Sequence, residues 1–418
     1  MKVLHVTQGY APALGGTELL IQRVSEELIR QFDDQVTVYT TDCYNGEGFF
    51  TPDAPRMKSG WEELNGVRIR RFEVNRSISR VARRVQYPLY RFNVPYNQYV
   101  RALAGGPVIK GLTREISTTP ADVIAASSFP LLHMFAALRG AEQSNRPCVL
   151  HGGLHPEDLW GFRRSMIFRA IRRADYIANT EFEARYVVET GASPDRVTTI
   201  GVGVDLEGFG GITQAEARRQ FGLDEGPVVG FIGQIAAAKG VEVLMGAMSR
   251  VWQFEPGAQL LVAGARTSYV QNLEAQIAAF PPEQRARIRL IVDFEASLKR
   301  SLFAAIDLLA YPSGFESFGI GFLEAWASGK PVIGCRRGAQ MSVIADRTDG
   351  LLVDFADADM LALAITHLVG NPALRSAYAE AGRRKVVERF TWPHVARRFR
   401  EAYQRAIGRA DSSPATPL

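Results

Sequence analysis

The stretch YPSGFESFGIGFLEAWASGKPVIG, residues 311–334, decides the fold of this chain. The apolar run that leads into it, DLLAYPS, predicts a buried parallel strand, and FLEAWAS predicts the first turns of a helix. Between them, Gly314, Gly319 and Gly321 let the backbone approach a ligand closely and present free amides at the start of the helix. The segment therefore predicts a phosphate-binding loop between a strand and a helix.

Two carboxylates flank this glycine loop, Glu316 and Glu324, eight positions apart. In a continuous helix eight residues span roughly 12 Å along the axis. This spacing suits the two ends of one elongated ligand better than a carboxylate pair that acts on a single bond. Taken alone the spacing is unspecific, because a helix-cap neighbour and a solvated helical glutamate produce it as well.

The run ESFGIGFLEAWASGKPVIG resembles the E-x7-E element of the retaining GT-B glycosyltransferases of family four, whose usual form is close to E-x-F-G-x-x-x-x-E-A-x-A-x-G-x-P-V. The resemblance implies that Glu316 contacts hydroxyls of the donor sugar and that Glu324 binds the ribose of the nucleotide. It also implies that the backbone amides of Ser317, Phe318 and Gly319 face the sugar and the diphosphate.

Length and composition predict a globular protein of two domains. The 418 residues exceed what one hydrophobic core usually serves, and 46% apolar with 22% charged residues is ordinary for a soluble chain. No apolar run reaches the roughly 18 residues of a transmembrane helix, and the N-terminal MKVLHVTQGYAP is typical of a strand, so we expect a cytoplasmic protein. The three cysteines and six histidines are scattered, which predicts neither a disulfide framework nor a metal site.

Strand-like runs alternate with helical runs along the chain, as in doubly wound parallel sheets. One series extends from VLHVT to RVTTIG, and a second begins at PVVGFIG. We predict an α/β protein with the GT-B fold, in which two Rossmann-like domains face an interdomain cleft. The expected parts are an acceptor domain, 1–206, a nucleotide-sugar domain, 207–390, a helix that the resemblance implies crosses back to the first domain, 391–410, and a disordered tail, 411–418.

Two further candidate ligands follow strands of the first predicted domain. The loop QGYAPALGGTE ends in Gly15 and Gly16 directly before a helix, where free amides bind anions, and it resembles the family's P-x-x-G-G-x-E run. His151 ends the strand PCVLH and matches the histidine that lies beside the donor sugar in many family members. His133 is the competing histidine, but LLHMFAAL is typical of a core helix face.

The loop QIAAAKG follows the first strand of the second predicted domain. There the family usually carries an arginine and, five residues later, a lysine, and both neutralise the leaving diphosphate. Lys239 matches the lysine, whereas Gln234 stands in place of the arginine. An amide hydrogen-bonds an oxyanion without neutralising it. Arg266 is the first candidate for the missing cation, and Arg336 and Arg337 are weaker ones.

Two patterns suggest other chemistry only weakly. GVGVD, residues 201–205, is followed by a leucine where a nicotinamide fingerprint needs its third glycine, so an oxidoreductase is not favoured. The D-x-D of Asp357 and Asp359 precedes a helix and is interpreted as a helix cap rather than a manganese site.

Residues 66–101 contain nine arginines and one glutamate, interleaved with phenylalanine and tyrosine. Such a segment is typical of a solvated face or of a site that rests on anionic lipid. No nucleic-acid-binding motif accompanies it, so we expect no nucleic acid among the partners. Peripheral attachment to the inner face of a membrane is our hypothesis for this segment, and a plain solvated face stays the alternative.

Together with these residues, the resemblance implies a retaining, metal-independent glycosyltransferase without a cofactor, with Lys239, Glu316 and His151 as its catalytic residues. The expected partners are a UDP- or GDP-sugar and a glycan, lipid-linked or small-molecule acceptor, in cell-envelope or exopolysaccharide synthesis. Two alternatives stay open, a GT-B nucleotide-sugar epimerase and a protein that binds a nucleotide sugar without turnover.

Overall fold

The chain forms two compact units. The first comprises Met1–Val202 together with a C-terminal helix that begins at Trp392, and the second comprises Gly203–Thr391. The sequence analysis placed the two domain boundaries at 206/207 and 390/391, and the units of the structure divide at 202/203 and 391/392. The computed structural model describes residues 1–13, 15–209 and 211–412.

The first unit is built on one sheet. Its strands are β1 (Lys2–Val6), β2 (Gln35–Thr41), β3 (Gly60–Leu64), β4 (Val67–Phe72), β5 (Val123–Ser127), β6 (Cys148–His151), β7 (Asp175–Ala178) and β8 (Val197–Thr199). The strands lie in the order β3-β4-β2-β1-β5-β6-β7-β8, and only the edge pair β3 and β4 is antiparallel. Asn65 and Gly66 connect that pair with positive φ angles, as a two-residue hairpin turn requires.

Helices connect the parallel strands of the first unit. They are α1 (Gly16–Phe32), α2 (Arg76–Arg91), α3 (Asn97–Gly105), α4 (Leu112–Thr118), α5 (Leu132–Gln143), α6 (Leu159–Phe162), α7 (Ser165–Ile171) and α8 (Glu181–Glu189). All five residues of β5 are buried. A strand that is covered on both faces needs a continuous apolar sequence, and VIAAS provides it.

The second unit contains a fully parallel sheet. Its strands are β9 (Val228–Ile232), β10 (Gln259–Gly264), β11 (Ile288–Val292), β12 (Leu308–Ala310), β13 (Val332–Cys335) and β14 (Gly350–Val353). They lie in the order β11-β10-β9-β12-β13-β14. Because β9 and β12 are parallel neighbours, their carboxyl ends meet at one edge of the sheet. The predicted α/β class with two parallel-sheet domains is confirmed.

The helices of the second unit complete the βα alternation. They are α9 (Gln214–Phe221), α10 (Val241–Phe254), α11 (Val270–Ala279), α12 (Pro282–Arg285), α13 (Lys299–Ala305), α14 (Ile320–Ala327), α15 (Gln340–Val343), α16 (Ala358–Val369) and α17 (Pro372–Arg389). Among the described residues, no helix combines the length and apolar character that are needed to cross a bilayer.

The last helix, α18 (Trp392–Ser412), belongs to the first unit and packs on α1. Tyr403 hydrogen-bonds the Nε2 atom of His5 at 2.9 Å, and Arg400 Nε donates to Asp34 Oδ2 at 2.9 Å. The helix extends two residues into the tail that was expected to be disordered, because Ser412 Oγ still bonds the carbonyl of Gly408. The rest of that tail, 413–418, lies outside the described residues.

Candidate functional site

A cluster of polar groups in the second unit lies where β9 and β12 end. After β12, residues 311–319 form the loop that leads into α14, and after β9 a turn at Ala237–Lys239 leads into α10. The amide of Gly314 donates to the carbonyl of Ala238 at 2.9 Å, so the backbones of the two loops are joined directly. We call this pair of loops the glycine-loop site.

Lys239 is the central cation of the glycine-loop site. Its Nζ atom donates to Oε1 of Glu316 at 2.6 Å and to the carbonyl oxygen of Phe315 at 2.9 Å. The lysine side chain is 20% exposed and the glutamate side chain 11% exposed. Their partial burial strengthens the attraction, and the lysine orients the carboxylate of Glu316 while it keeps a third donor position open.

Two glycines are required for the two loops to approach each other. Gly240 has a φ of 75°, and a Cβ atom there would overlap the carbonyl oxygen of Pro312. Gly319 has a φ of 100° directly before α14, where a Cβ atom would overlap the ring of Phe322. Side chains are thus excluded by backbone angle and by contact at both positions.

The side chain of Gln340 links the glycine loop to β13 by hydrogen bonds. The Nε2 atom of this buried side chain donates to the carbonyl of Ser313 at 2.6 Å, and its Oε1 atom accepts from the amide of Cys335 at 2.8 Å. Ser313 is fully buried and its hydroxyl donates to the carbonyl of Phe315 at 3.0 Å. These bonds hold the loop in one conformation before any ligand binds.

The amides that precede α14 are free to bind a ligand. Within the described part of the chain, the backbone N–H groups of Ser317, Phe318 and Gly319 have no hydrogen-bond acceptor. The side chain of Phe318 is buried against Phe390, with ring centroids 5.5 Å apart, so this residue offers a ligand only its backbone. Free amides at a helix N-terminus favour an anionic group.

Glu324 lies on α14 and has a different partner. It forms an ion pair with Lys299 of α13, and its side chain is 13% exposed. Burial raises the pKa of Glu324, and the attraction to Lys299 offsets part of that shift. Its burial is inconsistent with a merely solvated helical glutamate, and its predicted contact with a ribose stays a prediction.

The structure changes the ranking of the cations that were considered as replacements for the missing arginine. Gln234 is exposed after β9. Arg266 is engaged by the exposed carboxylate of Asp293, with Nε 3.2 Å from Oδ2. Arg337, the weaker candidate, instead lies on the glycine loop, with its guanidinium 5.0 Å from the ring centroid of Phe315. Because it lies on the glycine loop, Arg337 is better placed than Arg266, and its role as the missing cation stays a prediction.

The other weaker candidate, Arg336, is engaged by carboxylates. Its Nη2 atom is 3.0 Å from Asp346 and its Nε atom 3.6 Å from Asp354. Its charge is therefore compensated, and it does not replace the missing arginine in this arrangement.

The predicted loop at Gly15 and Gly16 lies in the first unit, at the start of α1, and its Leu14 is outside the described residues. A Cβ atom at Gly15 would overlap the carboxylate of Glu18, which accepts a hydrogen bond from Gln8 at 3.0 Å. Burial raises the pKa of Glu18. Glu18 thus packs back onto its own loop, and the anion-binding role of the loop stays a prediction.

His151 is the last residue of β6 and is buried. Its Nε2 atom hydrogen-bonds Oδ1 of Asn179 at 2.8 Å, and its ring lies 5.6 Å from that of Phe399 on α18. Burial lowers its pKa to about 4, so the imidazole is neutral at pH 7. His133 packs in the core of α5 as expected, and the predicted contact of His151 with a sugar stays a prediction.

The D-x-D pattern is a helix cap, as predicted. Asp357 accepts the amide of Met360 at 2.9 Å, and Asp359 pairs with Arg250. Within residues 1–13, 15–209 and 211–412, no group of three or more His, Cys, Asp or Glu side chains is arranged to hold a metal ion.

The sequence analysis did not single out two groups that contact predicted site residues, the carbonyl of Phe315 and Lys299, and it named Arg337 only as a weaker candidate. A carbonyl has no sequence signal, and Lys299 lies 25 positions from its partner in an ordinary helical run. Arg337 had a usable signal, because it follows β13 at the same sheet edge as the glycine loop.

The fold is that of the GT-B glycosyltransferases. The chain is similar to HepE of Anabaena in a complex with UDP and glucose, with a TM-score of 0.71 over 97% of this chain and 100% of that chain, at 18% identity. It is also similar to sucrose-phosphate synthase of Thermosynechococcus elongatus, with a TM-score of 0.72 over 98% and 100% of the two chains, at 18% identity.

Two family models match successive parts of the sequence. The model of Glycosyltransferase Family 4 matches residues 14–207, and that of Glycosyl transferases group 1 matches residues 213–385. The chain belongs to the group 1 glycosyltransferases of family 4.

Curated relatives match only in part. The D-inositol 3-phosphate glycosyltransferase of Segniliparus rotundus is 31% identical over an alignment of 248 positions, and the match covers 55% of this chain and 52% of the relative. The protein of the same name from Nocardia farcinica is 33% identical over an alignment of 243 positions, and the match covers 55% and 52% of the two chains. The chain spans about half the length of these relatives.

Proposed function

We propose that this protein is a retaining, metal-independent glycosyltransferase that moves a sugar from a nucleotide-diphosphate sugar to an acceptor in cell-envelope or exopolysaccharide synthesis. The observation that carries the proposal is the position of Lys239, which holds Glu316 beside three free amides. Departure of the nucleotide places two negative charges where these donors converge. Donors that are aimed before the reaction stabilise such charge most effectively.

The proposed roles follow from the groups that each residue presents. Lys239 and the amides at residues 317–319 bind the diphosphate, Arg337 supplies the second cation, and Glu316 accepts hydrogen bonds from hydroxyl groups of the sugar. Glu324, whose side chain is 13% exposed and pairs with Lys299, binds the ribose. UDP and glucose in the HepE structure support a UDP-sugar as the donor.

Retention is proposed from the resemblance of residues 316–334 to the E-x7-E element of the retaining glycosyltransferases, and the ion pair of Glu316 with Lys239 disfavours a covalent intermediate on that carboxylate. Transfer on the same face, directly to the acceptor, then needs no covalent glycosyl-enzyme intermediate. The stereochemistry is tested by proton NMR of the first product formed from an α-linked donor, where an α-anomer is expected and a β-anomer contradicts the proposal.

Turnover separates this proposal from a protein that only binds the nucleotide sugar, and the configuration of the released sugar separates it from an epimerase. Full-length protein is incubated with UDP-glucose or GDP-mannose, with water as the acceptor, and both the released nucleoside diphosphate and the free sugar are identified. We expect release that Glu316→Ala abolishes and that Glu380→Ala, at an exposed glutamate of α17, leaves unchanged. Binding of a donor without any release of its nucleoside diphosphate favours the alternative, a protein that only binds the nucleotide sugar.

The protein is proposed to act at a membrane surface, because the region of α2 and α3 combines basic residues with exposed apolar side chains. Residues 74–114 contain no aspartate or glutamate. Large apolar side chains nevertheless face solvent there, among them Tyr87 at 65%, Phe92 at 78% and Tyr96 at 77% exposure. Arginines with exposed aromatic rings fit the headgroup region of an anionic bilayer, so the region attaches to the inner face of the membrane.

Liposome flotation tests this attachment. The protein is expected to float with vesicles of phosphatidylglycerol and phosphatidylcholine but not with phosphatidylcholine alone, and added salt is expected to weaken the attachment. A Phe92→Ser and Tyr96→Ser double variant should lose it. Phe254→Ser, at a 70% exposed position of the second unit, should not. The proposal is contradicted if neither added salt nor the double substitution reduces the fraction of protein that floats.

A further inference from the structure

Each of the two glutamates that flank the glycine loop is paired with a lysine of its own. Glu316 is bound to Lys239, which closes the turn before α10. Glu324 is bound to Lys299, the first residue of α13. The proposed transfer uses Lys239 at the departing diphosphate but leaves Lys299 without a role.

Lys299 lies at the edge of the second sheet where ligands are expected. It begins the helix that follows β11, and in parallel α/β units such helices begin at the carboxyl edge of the sheet. Burial raises the pKa of Tyr311, which directly follows β12, and the charges of Glu316 and Glu324 raise it further. Both carboxylates therefore lie near the same residue of the glycine loop, and Lys299 accompanies the second of them.

The lysine occupies only part of the hydrogen-bonding capacity of Glu324. Its Nζ atom pairs with Oε1 of the carboxylate, and the side chains of Glu324 and Lys299 are 13% and 41% exposed. Among the residues that the structure describes, no other group donates a hydrogen bond to this carboxylate. An ionised carboxylate accepts about four hydrogen bonds, so Oε2 is left to accept from the hydroxyl groups of a ligand.

The lysine also favours the ionised form of Glu324. Burial raises the pKa of this carboxyl, and the charge and the hydrogen bond of Lys299 lower it again in part. A carboxylate binds hydroxyl groups more strongly than a neutral carboxyl does, because its hydrogen bonds are assisted by charge. Without Lys299, a mostly buried carboxylate would have no cation to compensate it and no partner to fix its orientation.

We infer that Lys299 is a positioning residue of the donor site, which holds Glu324 so that its second oxygen accepts hydrogen bonds from the ribose hydroxyls of the nucleotide. This inference rests on the proposed function, in which Glu324 binds the ribose. Lys239 then orients the carboxylate at the sugar and Lys299 orients the carboxylate at the ribose. The alternative is an ion pair that only joins α13 to α14, and such a pair would not affect how the site distinguishes nucleotides.

The test measures the preference of the full-length protein for a complete ribose. UDP or GDP, whichever binds more tightly, is compared by calorimetric titration with its 2′,3′-dideoxy form, which lacks both ribose hydroxyls. We expect the native protein to bind the complete nucleotide at least about tenfold more tightly, as hydrogen bonds to a charged group predict. Lys299→Met keeps the apolar stem without the charge, and it should reduce the preference to less than about threefold.

Two further variants separate the ion pair from a general loss of charge. Lys299→Arg keeps a cation at the same position and should restore the preference. Arg300→Met removes the neighbouring exposed cation, which is not the partner of Glu324, and should keep the native preference. The preference is a ratio measured within one protein, so a reduced folded fraction weakens both nucleotides equally and leaves the ratio unchanged.

Glu324→Gln distinguishes failure of this inference from failure of the proposed function. We expect it to abolish the preference. If it does so while Lys299→Met keeps the native preference, the role of Lys299 is overturned and the ribose contact of Glu324 stands. Equal loss in Lys299→Met and Arg300→Met also overturns that role. If Glu324→Gln keeps the preference, both the ribose contact and the inference are wrong.

Discussion

Replacement of Lys239 with glutamine tests the glycine-loop site most directly. In the native protein Nζ bonds Glu316 at 2.6 Å and the carbonyl of Phe315 at 2.9 Å, with both side chains at least 80% buried. The change removes a charge-assisted hydrogen bond that contributes about 1.5–3 kcal/mol to stability. For a unit of this size each kcal/mol corresponds to about 2–4 °C, so the melting temperature should fall by about 3–12 °C.

The effect on turnover should be much larger than this loss of stability explains. Removal of one donor aimed at developing negative charge typically slows kcat by about 10²–10³-fold, and we expect that range for release of nucleoside diphosphate at 25 °C. The melting temperature of each protein is measured first, and turnover is assayed well below both transitions so that the folded fractions are equal.

Lys385 offers a matched control in the same unit. Its Nζ atom also bonds one carboxylate, that of Asp349, and one carbonyl, that of Val343 at 2.8 Å, and its side chain is 18% exposed. Lys385→Gln should lower the melting temperature by a similar amount and leave turnover within about twofold of the native rate. Equal loss of turnover in the two variants, or native turnover in Lys239→Gln, refutes the role assigned to Lys239.

Three further predictions follow from other contacts. Gly240→Ala should lower the free energy of unfolding in urea by at least about 1–2 kcal/mol because its φ is 75°, whereas Gly257→Ala, in open space, should have a smaller effect. Arg337→Gln should weaken UDP binding about tenfold in calorimetry, and Gln234→Arg should restore it; unchanged affinity contradicts the role of Arg337. Burial lowers the pKa of His5 to about 3. Below pH 6.5 the unfolded state therefore binds more protons than the folded state, and the free energy of unfolding decreases as the pH is lowered. The loss should reach about 2 kcal/mol at pH 5, and His5→Gln should reduce the slope of the urea midpoint against pH.

The parallel sheets were predictable because their strands are buried on both faces. Runs such as VIAAS in β5 and QLLVAG in β10 are continuously apolar, and all their residues are buried. The edge strand β3, GWEEL, was not predicted, since its residues are exposed or half-buried and its pairing is antiparallel. The Asn65-Gly66 turn was the available signal for it.

The candidate site was predictable where it depends on backbone and less so where it depends on side-chain pairing. The strand, the glycine loop and the helix after it are local in sequence, and the structure has all three. The pairing of Glu324 with Lys299 depends on how α13 packs beside α14, which the sequence of neither helix encodes. Arg337 differs, because it reaches Phe315 through the pairing of β12 with β13, and its position directly after a predicted strand was an available signal.

Helix α18 has a consequence for the order of biosynthesis. The chain leaves the first unit at Val202 and returns at Trp392, and the bond between His5 and Tyr403 joins residues 398 positions apart. At a translation rate of about 5–20 residues per second, the ribosome needs about 10–40 s to make the intervening second unit. We expect the second unit to finish folding first. Until α18 is synthesised, the first unit is incomplete, and its exposed apolar surface can bind chaperones. A message truncated before codon 392 then yields a complete second unit attached to an unfinished first one.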